Sequence, residues 1–261
     1  METITSFSNQ TIKVIRGLLN NKKDRFDMGS FYVEGVNFIH QALENGYEIE
    51  KMLVVNSLID SDFKHQVINR VKQDKIFSVF KEVFLKISNK EATQGMGAIL
   101  RMKSFELKDG PTLVLDRIAN PGNLGSTMRA ASALGIVNVI TISPCVDFYN
   151  PDAVRASMGG IFWLNLINEK DAREVFNKLK EKEYHQIATI VHDEATEIKE
   201  LKMHFRPTDL VAIWFGSEAQ GLDREVASMI TNKLTIKMTG KTDSLNIAES
   251  VAVVIHELIN L

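Results

Sequence analysis

From Thr112 onward the chain repeats one pattern, and that pattern limits the folds open to it. A short apolar run is followed by a polar loop and then by a longer stretch with apolar residues three and four apart. The runs are Thr112-Leu113-Val114-Leu115-Asp116, residues 137–142, 163–167 and 186–191, Leu210-Val211-Ala212-Ile213-Trp214-Phe215, and Leu234-Thr235-Ile236. Continuous apolar runs of this length are strands buried on both faces, because a half-exposed strand would alternate polar and apolar residues. The stretches between them, such as residues 171–180, are helices that cover those faces. The expected fold is therefore α/β, with a mostly parallel sheet between helical layers. Ligands in such sheets bind beyond the carboxyl ends of the strands.

Three loops at those ends hold Gly or Asn. Asn120-Pro121-Gly122-Asn123-Leu124-Gly125-Ser126 follows the first run. Gly216-Ser217-Glu218, then Gln220-Gly221-Leu222, follows the most apolar one. Residues 239–243, then Ser244-Leu245-Asn246, follow the last. Beyond the third loop, Ile247, Val251, Val254, Ile255 and Leu258 form one stripe of a helix. Asn246 with Glu249 predicts a capping box in which Asn replaces Ser or Thr. The helix after the first loop is rich in small residues, Ala130, Ala131, Ser132 and Ala133, which predicts close packing. Arg129 is the exception, placed inside that helix where it can reach back toward the loop. Asn150-Pro151 opens a helical turn carrying Arg155 and Ser157.

Residues 9–25 predict one helix with Ile12, Ile15 and Leu19 toward a core. Lys13, Arg16, Lys22, Lys23 and Arg25 form a basic face, offset locally by Glu2 and Asp24. Such a face is either simply solvated or a patch for phosphates. Strands near residues 31–33, 49–55, 76–79 and 98–102 alternate with helices near 35–44, 62–71 and 81–86, which predicts a small α/β layer domain. The polar stretch ending in Gly110-Pro111 marks a boundary. The expected organisation is a domain over residues 1–103, a linker over 104–111 and a second domain over 112–261.

A chain of 261 residues accommodates two such domains. Its 44% hydrophobic and 25% charged content is that of a globular protein and excludes a disordered one. No apolar run approaches the ~20 residues of a membrane span, and the N-terminus lacks the apolar core of a signal peptide. Cys145 is the single cysteine, so neither an intramolecular disulfide nor a cysteine-type metal site is expected. His40 and His65 lack ligand partners at useful spacing. A cytoplasmic protein with no metal and no membrane attachment is expected. The net charge of -2 means that any contact with nucleic acid must use a local basic patch.

Taken together, Asn120-x-x-Asn123-x-Gly125-x-x-x-Arg129, Phe215-Gly216-Ser217-Glu218, and Ile236-x-Met238 with Ser244-Leu245-Asn246 resemble the three ordered motifs of the SpoU/TrmH-type RNA 2′-O-ribose methyltransferases of the SPOUT superfamily. Each motif alone is weak; three in this order and strand context are specific. The N-terminal hundred residues are similar to the L30e-like RNA-binding domain often attached to that family, through the basic first helix, Gly29-x-Phe31-x-Val33-Glu34-Gly35 and the β/α order. The resemblance implies a trefoil knot in the catalytic domain, S-adenosylmethionine as cofactor, a homodimer through that domain, and an RNA substrate, ribosomal RNA before tRNA. Gly216, Ile236, Met238 and Leu245 match the cofactor positions. Arg129 matches the catalytic arginine, and Asn123, Glu218, Ser244 and Asn246 match positions that shape the catalytic site. Arg155 joins Lys13, Arg16, Lys22, Lys23 and Arg25 as a candidate RNA contact. Ala219 stands where the family commonly has glycine, a departure of one methyl group.

In the implied reaction a ribose hydroxyl, a poor nucleophile, must be aligned with an activated methyl group and must lose its proton. A guanidinium stays protonated in proteins. The expected role of Arg129 is therefore to clamp a substrate phosphate and stabilise the developing alkoxide, with a phosphate oxygen or Glu218 taking the proton. Two rival readings are a dinucleotide-dependent oxidoreductase and a non-enzymatic RNA-binding ribosome-assembly factor on the same fold. The first lacks the G-x-G-x-x-G fingerprint. The second is opposed by the intact Arg129, Glu218 and Asn246.

Overall fold

A computed structural model of the chain describes residues 2–88, 92–190, 195–198, 210–217 and 220–259. The chain forms two compact units, Met1–Lys103 with Tyr149–Pro151, and Ser104–Phe148 with Asp152–Leu261.

The first unit runs β1 (Glu2–Ile4), α1 (Gln10–Asn20), α2 (Lys22–Met28), β2 (Ser30–Glu34), α3 (Val36–Glu44), β3 (Ile49–Val54), α4 (Asp62–Asn69), β4 (Ile76–Val79), α5 (Lys81–Phe84) and β5 (Met96–Arg101). Its sheet has the order β1-β4-β3-β5-β2. The pairs of β4 with β1 and β3 are parallel, and β5 is antiparallel to both neighbours. The single helix expected over residues 9–25 is two helices, because Asn21 is extended at φ -123° and ψ 120°. The break reassigns Arg25. Its side chain is 3% exposed, and Nη1 donates to the Leu18 carbonyl over 2.8 Å. Arg25 thus satisfies a carbonyl in the last turn of α1 that the helix itself leaves open. It is not part of the basic surface, whereas Lys13, Arg16, Lys22 and Lys23 are exposed.

The second unit runs β6 (Thr112–Asp116), α6 (Pro121–Ala133), β7 (Asn138–Ile142), α7 (Pro151–Ala156), β8 (Asn165–Glu169), α8 (Ala172–Glu181), β9 (His185–Thr189), β10 (Thr196–Glu197), β11 (Val211–Phe215), α9 (Arg224–Met229), β12 (Asn232–Thr235) and α10 (Ile247–Ile259). Its sheet is parallel throughout, in the order β10-β12-β9-β11-β6-β7-β8. The strand expected at residues 163–167 begins later, because Gly160–Trp163 is a 3-10 turn. Trp214 on β11 is fully buried; its Nε1 donates to Gln186 Oε1 over 3.1 Å, so the indole leaves no polar atom unpaired.

The stretch 104–111 is not a free linker. The Asn138 side chain holds Lys108 at both ends, donating to its carbonyl over 2.7 Å and accepting from its N–H over 3.1 Å. Phe105 and Leu107 pack against the core of the second unit. Conversely, Tyr149 belongs to the first unit, with its ring centroid 4.6 Å from that of Phe31.

Glycines on and beside α6 allow the close packing that its small residues predict. A Cβ on Gly125 would lie 2.4 Å from the Ala153 carbonyl oxygen, and one on Gly160 would lie 2.9 Å from that of Met128. The α10 stripe is buried, with Val251, Val254 and Ile255 at 0% exposure, and α10 packs on α6. No helix among the described residues is long and apolar enough to cross a membrane.

Candidate active site

Strand order runs outward from β6 in both directions, through β7 on one side and β11 on the other. The carboxyl ends near such a reversal are where parallel sheets open a crevice. A cavity of about 670 Å³ lies beyond the ends of β9, β11 and β12. Phe215, Gly216, Ser217 and Gln220–Leu222 form one wall, Leu234–Ile236 with Met238 another, and Ser244, Leu245 and Ile247 a third. The candidate cofactor residues Gly216, Ile236, Met238 and Leu245 therefore line one space.

Gly216 is there for a steric reason. A Cβ at that position would lie 2.0 Å from the Gly221 carbonyl carbon and 2.1 Å from the Leu222 nitrogen. Backbone passes directly against backbone, and Gly221 N–H donates to the Ser217 carbonyl over 2.8 Å to close the turn. The cavity combines apolar side chains with exposed loop backbone. This suits a flat heterocycle held by edge-on hydrogen bonds, and the volume falls in the ~300–1,000 Å³ range of small-molecule sites. Among the described residues, no group of three His, Cys, Asp or Glu could hold a metal ion.

The first loop meets the third. Asn120 caps α6, its Oδ1 accepting from Asn123 N–H over 3.1 Å. Asn123 Oδ1 in turn accepts from Asn246 Nδ2 over 3.0 Å. Asn246 caps α10 in a variant of the predicted box: its own N–H donates to Glu249 over 3.3 Å as expected, while its Oδ1 accepts from Ala248 N–H, one residue earlier than a full box requires, over 2.9 Å. Arg129 lies exposed on α6, and among the described residues no side-chain hydrogen bond or ion pair engages its guanidinium. Ser244 is exposed at the cavity rim. Glu218 lies outside the described residues. Arg155, on α7, is ion-paired with Asp152 at 2.9 Å and remains half exposed.

Two residues that the sequence did not single out contribute here. Asp116 and Arg117, at the end of β6, reach the loop that walls the cavity. Cys145 sits nearby as a half-buried packing residue. Its Sγ accepts from Ile118 N–H over 3.0 Å, and burial raises the thiol above its ordinary pKa, opposite to what a nucleophilic cysteine needs.

Residues 110–256 match the family model described as the SpoU rRNA Methylase family, and residues 9–98 match the MRM3-like substrate binding domain. Among curated relatives, the chain is similar to the 23S rRNA (uridine(2479)-2'-O)-methyltransferase of Streptomyces viridochromogenes, 26% identical over 94% of this chain and 87% of that one. Among solved structures, an RNA 2'-O ribose methyltransferase superposes with a TM-score of 0.81 at 30% identity, covering 99% of this chain and 98% of the other. The AdoMet complex of the SpoU methyltransferase AviRb from Streptomyces viridochromogenes has the same fold, with a TM-score of 0.84 at 23% identity over 97% of both chains.

Proposed function

The chain belongs to the SpoU rRNA methylase family, and from that premise we propose that it methylates a ribose 2′-hydroxyl of ribosomal RNA with S-adenosylmethionine. The observation that carries this reading is the convergence of the three loops: two wall the cavity together, and the first is joined to the third through Asn123 and Asn246. Ribosomal RNA is favoured over tRNA by the name of the family and of the Streptomyces relative. The knotted course of the C-terminal segment and a cytoplasmic location follow from the same family reading.

When bound, S-adenosylmethionine supplies a methyl group already activated by a positively charged sulfur. The chain's task is then to hold, orient and deprotonate. Gly216 would leave room for backbone to approach the cofactor's base, and Ile236, Met238 and Leu245 would supply apolar walls. Arg129, exposed on α6, holds a phosphate next to the target ribose and stabilises negative charge on the hydroxyl oxygen. Asn123 and Asn246 fix the first and third loops relative to each other, so that the hydroxyl meets the methyl group in line. A substrate phosphate oxygen or Glu218 receives the proton.

We propose a homodimer through the second unit. The buried α10 stripe cannot supply the contact, so the interface must draw on other apolar side chains. Val253 on α10 is 38% exposed and Trp163 is 59% exposed, both on elements that pack against α6. Sedimentation at micromolar concentration gives twice the chain mass on this reading, and a monomer contradicts it. The cofactor assignment is tested by calorimetric titration with S-adenosylmethionine and, separately, with NAD: the first binds and the second does not. Binding of NAD alone would return the oxidoreductase reading.

A further inference from the structure

Asp116 ends β6 with its side chain buried, 2% exposed. Its Oδ2 accepts from Arg117 Nη2 over 2.9 Å and Nε over 3.2 Å. The same oxygen accepts from the backbone N–H of Asp223 over 2.8 Å. Asp223 is itself the N-cap of α9, its Oδ1 accepting from Glu225 and Val226 N–H groups. Arg117 has φ 59°, a left-handed conformation uncommon for a residue with a Cβ. From there its guanidinium donates to Gln220 Oε1 over 3.2 Å and to the Gly221 carbonyl over 3.3 Å. One adjacent pair at the end of β6 therefore grips Gln220, Gly221 and Asp223, and Gln220–Leu222 belongs to one wall of the cavity. On its inner side the same wall is pressed against Gly216.

We propose that Asp116 and Arg117 are positioning residues that set the width of the cofactor cavity without lining it. The proposal rests on reading that cavity as the S-adenosylmethionine site. The buried carboxylate fixes the guanidinium with two donors in a planar fork, and the fork then fixes the loop. The left-handed backbone at Arg117 persists because contacts on both sides hold it, as expected of local strain kept for a purpose. Without the guanidinium, the Gly221 carbonyl and the Gln220 side chain lose their anchor and the wall relaxes away from the bound adenine. Arg129, Asn123 and Asn246 are untouched by that movement, so the loss falls on cofactor affinity and not on the transfer step.

Arg117→Asn is the suitable variant, because Asn tolerates the left-handed backbone yet cannot reach the loop. Calorimetry and steady-state kinetics on the full chain would be run with wild type, Arg117→Asn, Arg117→Lys and Asp116→Asn. Arg117→Asn is expected to raise both Kd and KM for S-adenosylmethionine about tenfold or more, with kcat at saturating cofactor within about threefold of wild type. Arg117→Lys, which keeps one charged donor, is expected to recover part of the affinity. If Asp116→Asn does not fold, the two Arg117 variants decide the matter. A wild-type protein that binds S-adenosylmethionine, alongside an Arg117→Asn variant that binds it equally well or loses kcat with KM unchanged, overturns the proposal alone. A wild-type protein that does not bind it overturns the cofactor reading, and this proposal with it.

Discussion

Asn246 Nδ2 donates to Asn123 Oδ1 over 3.0 Å, a bond between side chains 123 positions apart. Both residues are also built into helix starts, Asn123 under the Asn120 cap and Asn246 as the cap of α10. The bond thus connects the rigid N-termini of α6 and α10. Asn123→Ala and Asn246→Ala should each slow methyl transfer, and the double variant should be little worse than the worse single one. The coupling energy should be about 1–2 kcal/mol in kcat/KM, since residues acting as one unit are not additive. Additive losses would mean that the two amides act independently.

Gly216→Ala should remove cofactor binding. The added methyl group would meet the Gly221 and Leu222 backbone at 2.0 and 2.1 Å, and backbone cannot swing aside as a flexible side chain can. Titration with S-adenosylmethionine alongside a thermal melt separates a displaced loop from an unfolded chain. Wild-type affinity in this variant would show that the wall moves freely.

Arg129→Ala should abolish transfer and leave the affinity for S-adenosylmethionine within about threefold, because the guanidinium is assigned to the substrate phosphate. Calorimetry paired with turnover measures both. Loss of cofactor binding in a folded variant would reassign Arg129 to the cofactor.

The basic residues of the first unit divide into two roles. Lys22→Gln with Lys23→Gln should weaken RNA binding and lower its salt slope by up to ~2 units, while cofactor affinity stays unchanged. Arg25→Ala should instead destabilise the chain by about 2 kcal/mol, because the Leu18 carbonyl loses its charged donor in a buried setting. RNA binding across a salt series and denaturant unfolding distinguish these roles. An Arg25 variant of normal stability with a reduced salt slope would return Arg25 to the surface.

What the sequence made legible follows from what each feature depends on. The β6 and β11 runs are readable because burial on both faces leaves no polar alternation, whereas β12 spans Asn232–Thr235, starts two residues before the apolar run read at Leu234, and fully buries Leu234 alone. The α10 stripe and the Asn246–Glu249 box were readable because both depend on residues within about one turn of each other. The burial of Arg25 is not legible in the sequence, because charge and helical spacing fit a solvated face equally well and only the extended backbone at Asn21 turns the residue inward. The Asp116–Arg117 grip was invisible because its partners lie more than 100 positions away. β1 and β10, of three and two residues, are too short to show any period.

Ribose methylation of RNA by this chain can be measured directly. Purified chain is incubated with total RNA and S-adenosylmethionine carrying an isotopically labelled methyl group, and the RNA is fractionated, digested to nucleosides and analysed by mass spectrometry. Label is expected on the ribose of a nucleoside from ribosomal RNA, and is expected to be absent when Arg129→Ala replaces wild type. Label on a base, or no label in any RNA despite bound cofactor, would contradict it.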